Sequence, residues 1–303
     1  MEACESLKNV KSIINELESS LLIAGDATHA YRDPAVLVVR GVFHIFMTLV
    51  ETDSDGRFYW YVAHTTTRDL RSFSPIRKLT VKDRSYNFSS PGNVVFHDGK
   101  YKLCCQTYCC ENGEKYGNGR SRLYIMESED LENWSEPYLL NVKGDLPSEK
   151  AGRMIDPYLI YDENEELWNI FYKQNGVSRS VSKDLKHFEY RGFIEGGENV
   201  SLLREGNLYY MFHSPDNGIG VKLSEDLAKW RDLGEPLTFG QSEWSWAKGR
   251  LTAGAILKIA DEKEPLYLMF FHGTGPEDES LIFETHACIG VAWSYDLKDW
   301  HWK

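Results

Sequence analysis

A seven-residue pattern recurs five times along this chain, and it constrains the fold more than any other feature. Three copies end in tryptophan: Ser128–Trp134, Ser224–Trp230 and Ser294–Trp300, each of the form Ser-x-Asp-Leu-x-x-Trp. Ser182–Phe188 ends in phenylalanine, and Thr67–Phe73 also replaces the opening serine with threonine. A repeat on this scale marks supersecondary units that cannot bury their apolar faces alone and must stack on one another. Five units spread over 303 residues predict a closed ring.

The segments before each copy read as strands. Apolar runs pair across short polar turns, as Ala35–Val39 with Val42–Met47 and Val94–His97 with Lys100–Gln106. Tyr158–Tyr161 pairs in the same way with Leu167–Tyr172, Val200–Leu203 with Leu208–His213, and Ala255–Ile259 with Leu266–His272. The turns carry Arg40-Gly41, Asp98-Gly99, Glu163-Asn164 and Glu205-Gly206, which suits tight hairpins. A third strand leads into each repeat and a short fourth follows it. Four strands in each of five units make an all-β, five-bladed β-propeller over residues 25–303. Residues 1–24 form an extension with a short N-terminal helix over 4–19, where Leu7, Val10, Ile14 and Leu17 recur at helical spacing. That stripe is expected against the outside of the ring, with a dimer contact as the other reading. The repeated aspartates are expected to satisfy backbone donors in a turn, and the aromatic that closes each copy to pack between blades.

The net charge of -12 argues against nucleic acid, which needs a basic surface, and is compatible with a neutral carbohydrate. No run approaches the roughly 20 apolar residues of a membrane span. Met1–Glu5 lacks a basic stretch followed by an apolar one, so no signal peptide is read and a cytoplasmic location is expected. The adjacent pairs Cys104-Cys105 and Cys109-Cys110 do not have the spacing of zinc ligands. They read as buried free thiols, which favours a reducing compartment. The oligomeric state is not legible.

The turns allow the innermost strands to be aligned. Eight residues before Gly41, Gly99, Asn164 and Gly206 lie Asp33, Pro91, Asp156 and Glu198, and the fifth blade matches near Thr252. Carboxylates thus open three of the five innermost strands, and such strands converge on the axis at one end of the ring. Converging carboxylates suit glycoside hydrolysis, in which one acid protonates the leaving oxygen and a second carboxylate acts as base or nucleophile. Three carboxylates could instead bind calcium.

In the order and register of these motifs the chain resembles glycoside hydrolase family 43 and related five-bladed propeller glycosidases, as a divergent member. The resemblance rests on Arg32-Asp33-Pro34, Ile155-Asp156-Pro157, Glu198 and the blade-ending repeats. It implies that Asp33 is the general base, Glu198 the general acid, and Asp156 the residue that tunes and orients that acid. The implied reaction is exo-acting hydrolysis of a terminal sugar, arabinofuranosyl, xylosyl or related, with inversion. The chain departs from the family where Glu198-Asn199-Val200 replaces the usual Glu-Gly-Pro, and where Arg250–Gly254 contains no histidine to help hold a central ion. No cofactor is expected to be required, and a central calcium ion is left open. A retaining, fructan-cleaving reaction, a glycoside phosphorylase using Arg153, Lys173, His213, Arg250 and His272 for phosphate, and a non-catalytic carbohydrate-binding propeller are the alternatives.

Antiparallel order places the ends of the second strands around the same mouth. Lys173, Gln174, His213 and His272 are therefore candidate substrate contacts, with Arg32, Asn93 and Arg250 from the first strands. Thr48, Gln106, Thr107, Tyr108, Asn175 and Ser214 are further rim positions. Trp60, Trp244 and Trp246 are candidate stacking platforms for a sugar ring. The segments 49–57, 109–120 and 273–284 are the candidate specificity loops.

Overall fold

The computed structural model describes residues 10–259 and 265–303. It is a five-bladed propeller whose chain begins by joining its own end. The strand β1 (Leu21–Ile23) pairs antiparallel with β21 (Ala287–Ser294) of the last blade, with Leu21 opposite Gly290. Blade 1 then runs outward as β2 (His29–Val39), β3 (Val42–Thr52), β4 (Phe58–Thr67) and β5 (Arg77–Lys78). Blade 2 splits its innermost strand into β6 (Phe88–Ser89) and β7 (Val94–His97), followed by β8 (Lys100–Thr107), β9 (Leu123–Ser128) and β10 (Tyr138–Leu139). Blade 3 is β11 (Ile155–Asp162), β12 (Leu167–Lys173), β13 (Val177–Ser182) and β14 (Phe188–Ile194). Blade 4 is β15 (Glu198–Glu205), β16 (Leu208–Ser214), β17 (Gly220–Ser224) and β18 (Arg231–Asp232). Blade 5 is β19 (Arg250–Lys258), β20 (Tyr267–Thr274), β21 and β22 (Trp300–His301).

The repeat performs the same local task in every blade. Its leucine adopts a left-handed backbone in all five copies, with φ of 56° at Leu70, 66° at Leu131, 58° at Leu185, 57° at Leu227 and 64° at Leu297. A β turn of this kind leaves amide groups without ladder partners, and the Asp carboxylate takes two of them. In blade 2, Asp130 Oδ1 accepts from Glu132 N at 2.9 Å and Asn133 N at 2.7 Å, while Ser128 Oγ accepts from Leu131 N at 2.9 Å. The leucines are buried beneath these turns. The closing aromatic packs on the preceding blade: Trp134 meets Phe46 edge-on at 5.4 Å, Trp230 meets Phe171 at 6.1 Å, and Trp300 meets Phe212 at 6.3 Å. The turn and interblade roles expected of the repeat are therefore what the structure shows.

Each gap between blades holds its own apolar core. Phe46, Val62, Leu103 and Met126 fill the gap between blades 1 and 2, and Phe171, Leu202 and Met211 the gap between blades 3 and 4. The gap between blades 5 and 1 is covered from outside by the N-terminal stripe. Helix is described only over residues 10–15, shorter than the predicted 4–19; Leu7 lies outside the described residues. Val10, Ile13, Ile14 and Leu17 are buried there with Phe43, Ile45, Phe270 and Val291. Ser20 fastens the same region, since its carbonyl accepts from Val291 N at 2.9 Å and its hydroxyl from Lys303 N at 2.9 Å. The five cysteines among the described residues are buried and unpaired.

Ring closure therefore depends on β1 and the stripe. Burying each large aliphatic side chain contributes about 1.5–3 kcal/mol. Deleting residues 1–24 is expected to lower the unfolding free energy by on the order of 5 kcal/mol, read as a lower urea midpoint. An unchanged midpoint would show that the ring closes without them.

Candidate active site

The innermost strands carry an irregularity at the same end. Ladder pairing skips two residues between Arg32 and Ala35, Ile155 and Tyr158, Glu198 and Ser201, and Thr252 and Ala255. The first skipped residue is left-handed in blades 1, 3 and 4, with φ of 50° at Asp33, 54° at Asp156 and 51° at Asn199; Ser90 has φ of 39° in the corresponding break of blade 2. Asp and Asn tolerate this region better than most residues. Such a bulge re-aims a side chain that would otherwise lie on a blade face.

The bulges correct the predicted register. Arg32 pairs with Thr48, Ile155 with Lys173, Glu198 with Ser214 and Thr252 with His272. Glu198 is thus the counterpart of Arg32 and Ile155, one residue before the bulge, and Asn199 is the counterpart of the two aspartates. Likewise Ser90, not Pro91, matches Asp33. The count failed in blade 4 because the turn glycine is the first loop residue (Gly206) where blade 1 has it second (Gly41), and in blade 2 because Ser90 stands one residue farther from its hairpin than Asp33 does.

Asp33, Asp156 and Glu198 nevertheless line one funnel of about 650 Å³, with Arg32, Lys173, Arg250 and His272. Below them the axis narrows to a void of about 20 Å³, walled by Pro34, Pro91, Pro157 and Gly254. Two glycines permit this closure. A Cβ on Gly92 would lie 1.5 Å from Pro157 O, and one on Gly254 would lie 2.6 Å from Pro34 Cγ. The funnel is therefore a blind pit.

Asp33 is held from several sides. Its Oδ2 accepts from Thr48 Oγ1 at 2.7 Å and Ser90 Oγ at 3.0 Å, and its Oδ1 from Asn199 Nδ2 at 2.9 Å. Burial raises its pKa, against the pull of Arg32 and these hydrogen bonds. Asp156 is buried beside it, and its amide donates to Gln106 Oε1. Burial, then Glu198, then Asp33 push the Asp156 pKa up to about 7. Like charges gathered in a dry site favour retention of a proton on one of them. Glu198 is more open, at 30% side-chain exposure, and accepts from Arg250 Nη2 at 2.8 Å.

A fourth acid, which the sequence reading did not single out, completes the electrostatics. Glu279 receives Arg32 Nη2 on Oε1 and Arg250 Nη1 on Oε2, the latter at 2.7 Å. Burial alone would raise the Glu279 pKa, but Arg32 and then Arg250 hold it well below the usual carboxylate range. Arg32 also stacks on Phe283, 4.6 Å from the ring centroid. Glu279 and Phe283 lie within the predicted specificity loop 273–284, but nothing in its pattern marks them. His272 is buried, and that burial, with Arg32, keeps its pKa well below the ordinary value. Its Nδ1 accepts from Asp33 N at 3.1 Å, which places the proton on Nε2; that nitrogen has no protein partner. The axial histidine thus comes from the second strand of blade 5 rather than from Arg250–Gly254.

Several predicted contacts are structural instead. Asn93 spends its amide joining blades 2 and 3, donating to Leu159 O at 2.8 Å and accepting from Leu159 N at 2.9 Å. Gln174 turns its amide to Ala151 O and Arg153 O, at 2.8 and 3.0 Å. His213 pairs with Gly220, one place before the equivalent of His272; it is buried and its Nδ1 accepts from Gly197 N at 3.0 Å. Trp244 and Trp246 stack on each other at 4.9 Å and on Phe271 within the blade 4–5 core. Trp60 does line the funnel, stacked on Tyr108 at 4.6 Å.

Both Asp33 oxygens already accept from side chains, and among the described residues no group of three or more His, Cys, Asp or Glu side chains is placed to hold a metal.

No family profile and no curated protein matches the sequence. Solved structures do share the fold. The catalytic domain of the GH62 α-L-arabinofuranosidase from Coprinopsis cinerea matches with a TM-score of 0.65 and 16% identity, over 89% of this chain and 94% of that one. A family 117 glycoside hydrolase from Zobellia galactanivorans matches at 0.64 with 13% identity, over 90% and 88%. The exo-β-1,3-galactanase from Clostridium thermocellum matches at 0.64 with 14% identity, over 89% of this chain but only 60% of that chain. The chain is thus similar in architecture to five-bladed propeller glycosidases.

Two outcomes follow from the electrostatics. Glu279→Gln leaves the buried Arg32 guanidinium without its carboxylate and Arg250 with Glu198 alone, and is expected to lower stability by about 3 kcal/mol in urea unfolding. For Asp156, a folded pKa raised from 3.8 to about 7 favours the protonated native state. That contribution is complete below pH 3.8 and is lost as pH rises toward about 7. Melting temperatures across this range should therefore fall for the wild type relative to Asp156→Asn, and parallel curves would refute the shift.

Proposed function

We propose that the chain is an exo-acting glycoside hydrolase that cleaves a terminal sugar with inversion. The observation that carries this reading is the convergence of Asp33, Asp156 and Glu198 on one blind pit, with Asp156 retaining a proton near neutral pH. A pit closed at its floor admits a chain end rather than the middle of a polymer. The similar folds of an exo-galactanase and an arabinofuranosidase support the same substrate class.

In this reading Asp33 is the base. Thr48, Ser90 and Asn199 fix its carboxylate, and water enters between it and the anomeric carbon. Glu198 is the acid, being the most open of the three and nearest to solvent. A substrate hydroxyl that takes over Arg250 frees Glu198 to carry a proton from solvent to the glycosidic oxygen. Asp156 is a positioning residue: buried and protonated, it lowers the negative charge that Glu198 and Asp33 would otherwise face. Base and acid stand on blades 1 and 4, and inversion requires roughly 6.5–9.5 Å between their carboxyl groups.

The test is hydrolysis of aryl arabinofuranosides, xylosides, galactosides and fructosides by the wild type, Asp33→Asn and Glu198→Gln. Loss of general acid–base help is expected to lower turnover roughly 10²–10⁴-fold. For Glu198→Gln the loss should shrink when a methylphenyl leaving group is replaced by nitrophenyl, which needs no proton. Equal loss on both would remove Glu198 from the acid role. Proton NMR of the first-formed anomer reads the stereochemistry, and silence of the wild type on every substrate overturns hydrolysis of these sugars.

A further inference from the structure

A second cleft opens beside the funnel. It measures about 670 Å³ and shares Arg153 and Lys173 with the funnel wall, while Lys143 and Tyr190 form its far side. Among the described residues lining it none is acidic, which is unusual in a chain of net charge -12. Asp145 and Glu149 lie nearby in sequence but are exposed and do not line it.

The three cations have no carboxylate partner among the described residues, although most others in the funnel do. Arg153 donates from Nη2 to Tyr116 O at 2.9 Å, and its buried Nε has no partner. Lys173 Nζ reaches only Gly196 O, at 3.5 Å. Lys143 lies 3.3 Å from the ring centroid of Tyr190 and 5.4 Å from that of Tyr172. Partly desolvated cations without counter-ions bind oxyanions strongly, because charge-assisted hydrogen bonds replace weak hydration.

Resting on the glycosidase reading, we propose that Lys143, Arg153 and Lys173 form a subsite for the carboxylate or sulfate of an acidic sugar adjacent to the one cleaved. The position of the cleft selects this over free phosphate. A phosphate acting as nucleophile must reach the anomeric carbon among Asp33, Asp156 and Glu198, and none of these lines the second cleft. The carboxylates at the axis also repel an anion there, so an acidic substituent is accommodated only to the side, where Arg153 and Lys173 bridge the two spaces.

The experiment is calorimetric titration of the full chain with glucuronic acid, galacturonic acid and galactose 6-sulfate, against glucose, galactose and inorganic phosphate. At least one acidic sugar is expected to bind roughly tenfold more tightly than its neutral counterpart, with the preference declining as salt is raised. Lys143→Gln should weaken that preference and Lys143→Arg restore it; Lys143 is partly exposed, so neither change threatens the fold. Equal affinity for acidic and neutral sugars overturns the subsite. So does phosphate binding that exceeds all the sugars and brings phosphate-dependent turnover. If neutral aryl glycosides are still hydrolysed while acidic sugars show no advantage, the subsite fails and the glycosidase reading stands.

Discussion

The structure depends on a backbone irregularity at the axial mouth. An innermost propeller strand that stayed regular would point its side chains at the neighbouring blades and leave the axis lined by backbone. The two-residue bulges prevent this. Asp33, Asp156 and Asn199 take up left-handed backbone there, at φ of 50–54°, a conformation that costs on the order of 1 kcal/mol for each residue. The ring offsets that strain by binding the side chains it exposes: Asp33 alone gathers Thr48, Ser90 and Asn199 from three blades. The following residue serves the opposite purpose. Pro34, Pro91 and Pro157 wall the narrow axis and give the funnel its floor. One local device therefore supplies both the chemistry of the pit and its depth.

The charges are arranged so that this pit can hold several acids without opening. Asp156 sheds its charge near neutral pH, under burial and the presence of Glu198 and Asp33. Arg32 and Arg250 meet Glu279, a residue from the loop after blade 5's second strand, so the arginines are not left to pair fully with Asp33 and Glu198. Arg250 divides its guanidinium between Glu279 and Glu198, which ties the loop to the position of Glu198. Movement of segment 273–284 would therefore be felt at the acid.

Architecture was more legible in the sequence than the site was. The repeat's serine, aspartate and leucine act within one turn, so their spacing reports the turn directly, and the five turns report the ring. The site is assembled at bulges, and a count from hairpin glycines misses it by one residue wherever the glycine's place in the loop or the length of the strand changes. Asp33 and Asp156 fall eight residues before their turn residues and both precede proline; Ser90 also precedes proline, but the count lands on Pro91. The single-residue shift also explains His213: it looks equivalent to His272, but alternation along a strand sends it to the other face and into Gly197. Asn93 was misread for a different reason, since a polar side chain near the mouth can satisfy a neighbouring blade's backbone as readily as a sugar hydroxyl. Glu279 and Phe283 sit in a loop with no periodicity, and only folding shows what they meet.

Strand direction gives the two ends of the ring different tasks. First strands begin at the mouth, second strands end there, and third strands run away from it, so the Ser-x-Asp-Leu turns after β4, β9, β13, β17 and β21 lie at the far end of the ring. Residues that fix the fold thus occupy one end, and residues that face the ligand occupy the other. Substitution at the mouth disturbs neither the turns nor the aromatic contacts between blades. The blades resemble one another where they are fastened and differ where chemistry would occur: Asp33, Ser90, Asp156, Asn199 and Ala253 stand at matching positions with five different surroundings. An architecture divided in this way keeps its shape while its mouth diverges, which accounts for a propeller shared with proteins only 12–16% identical in sequence.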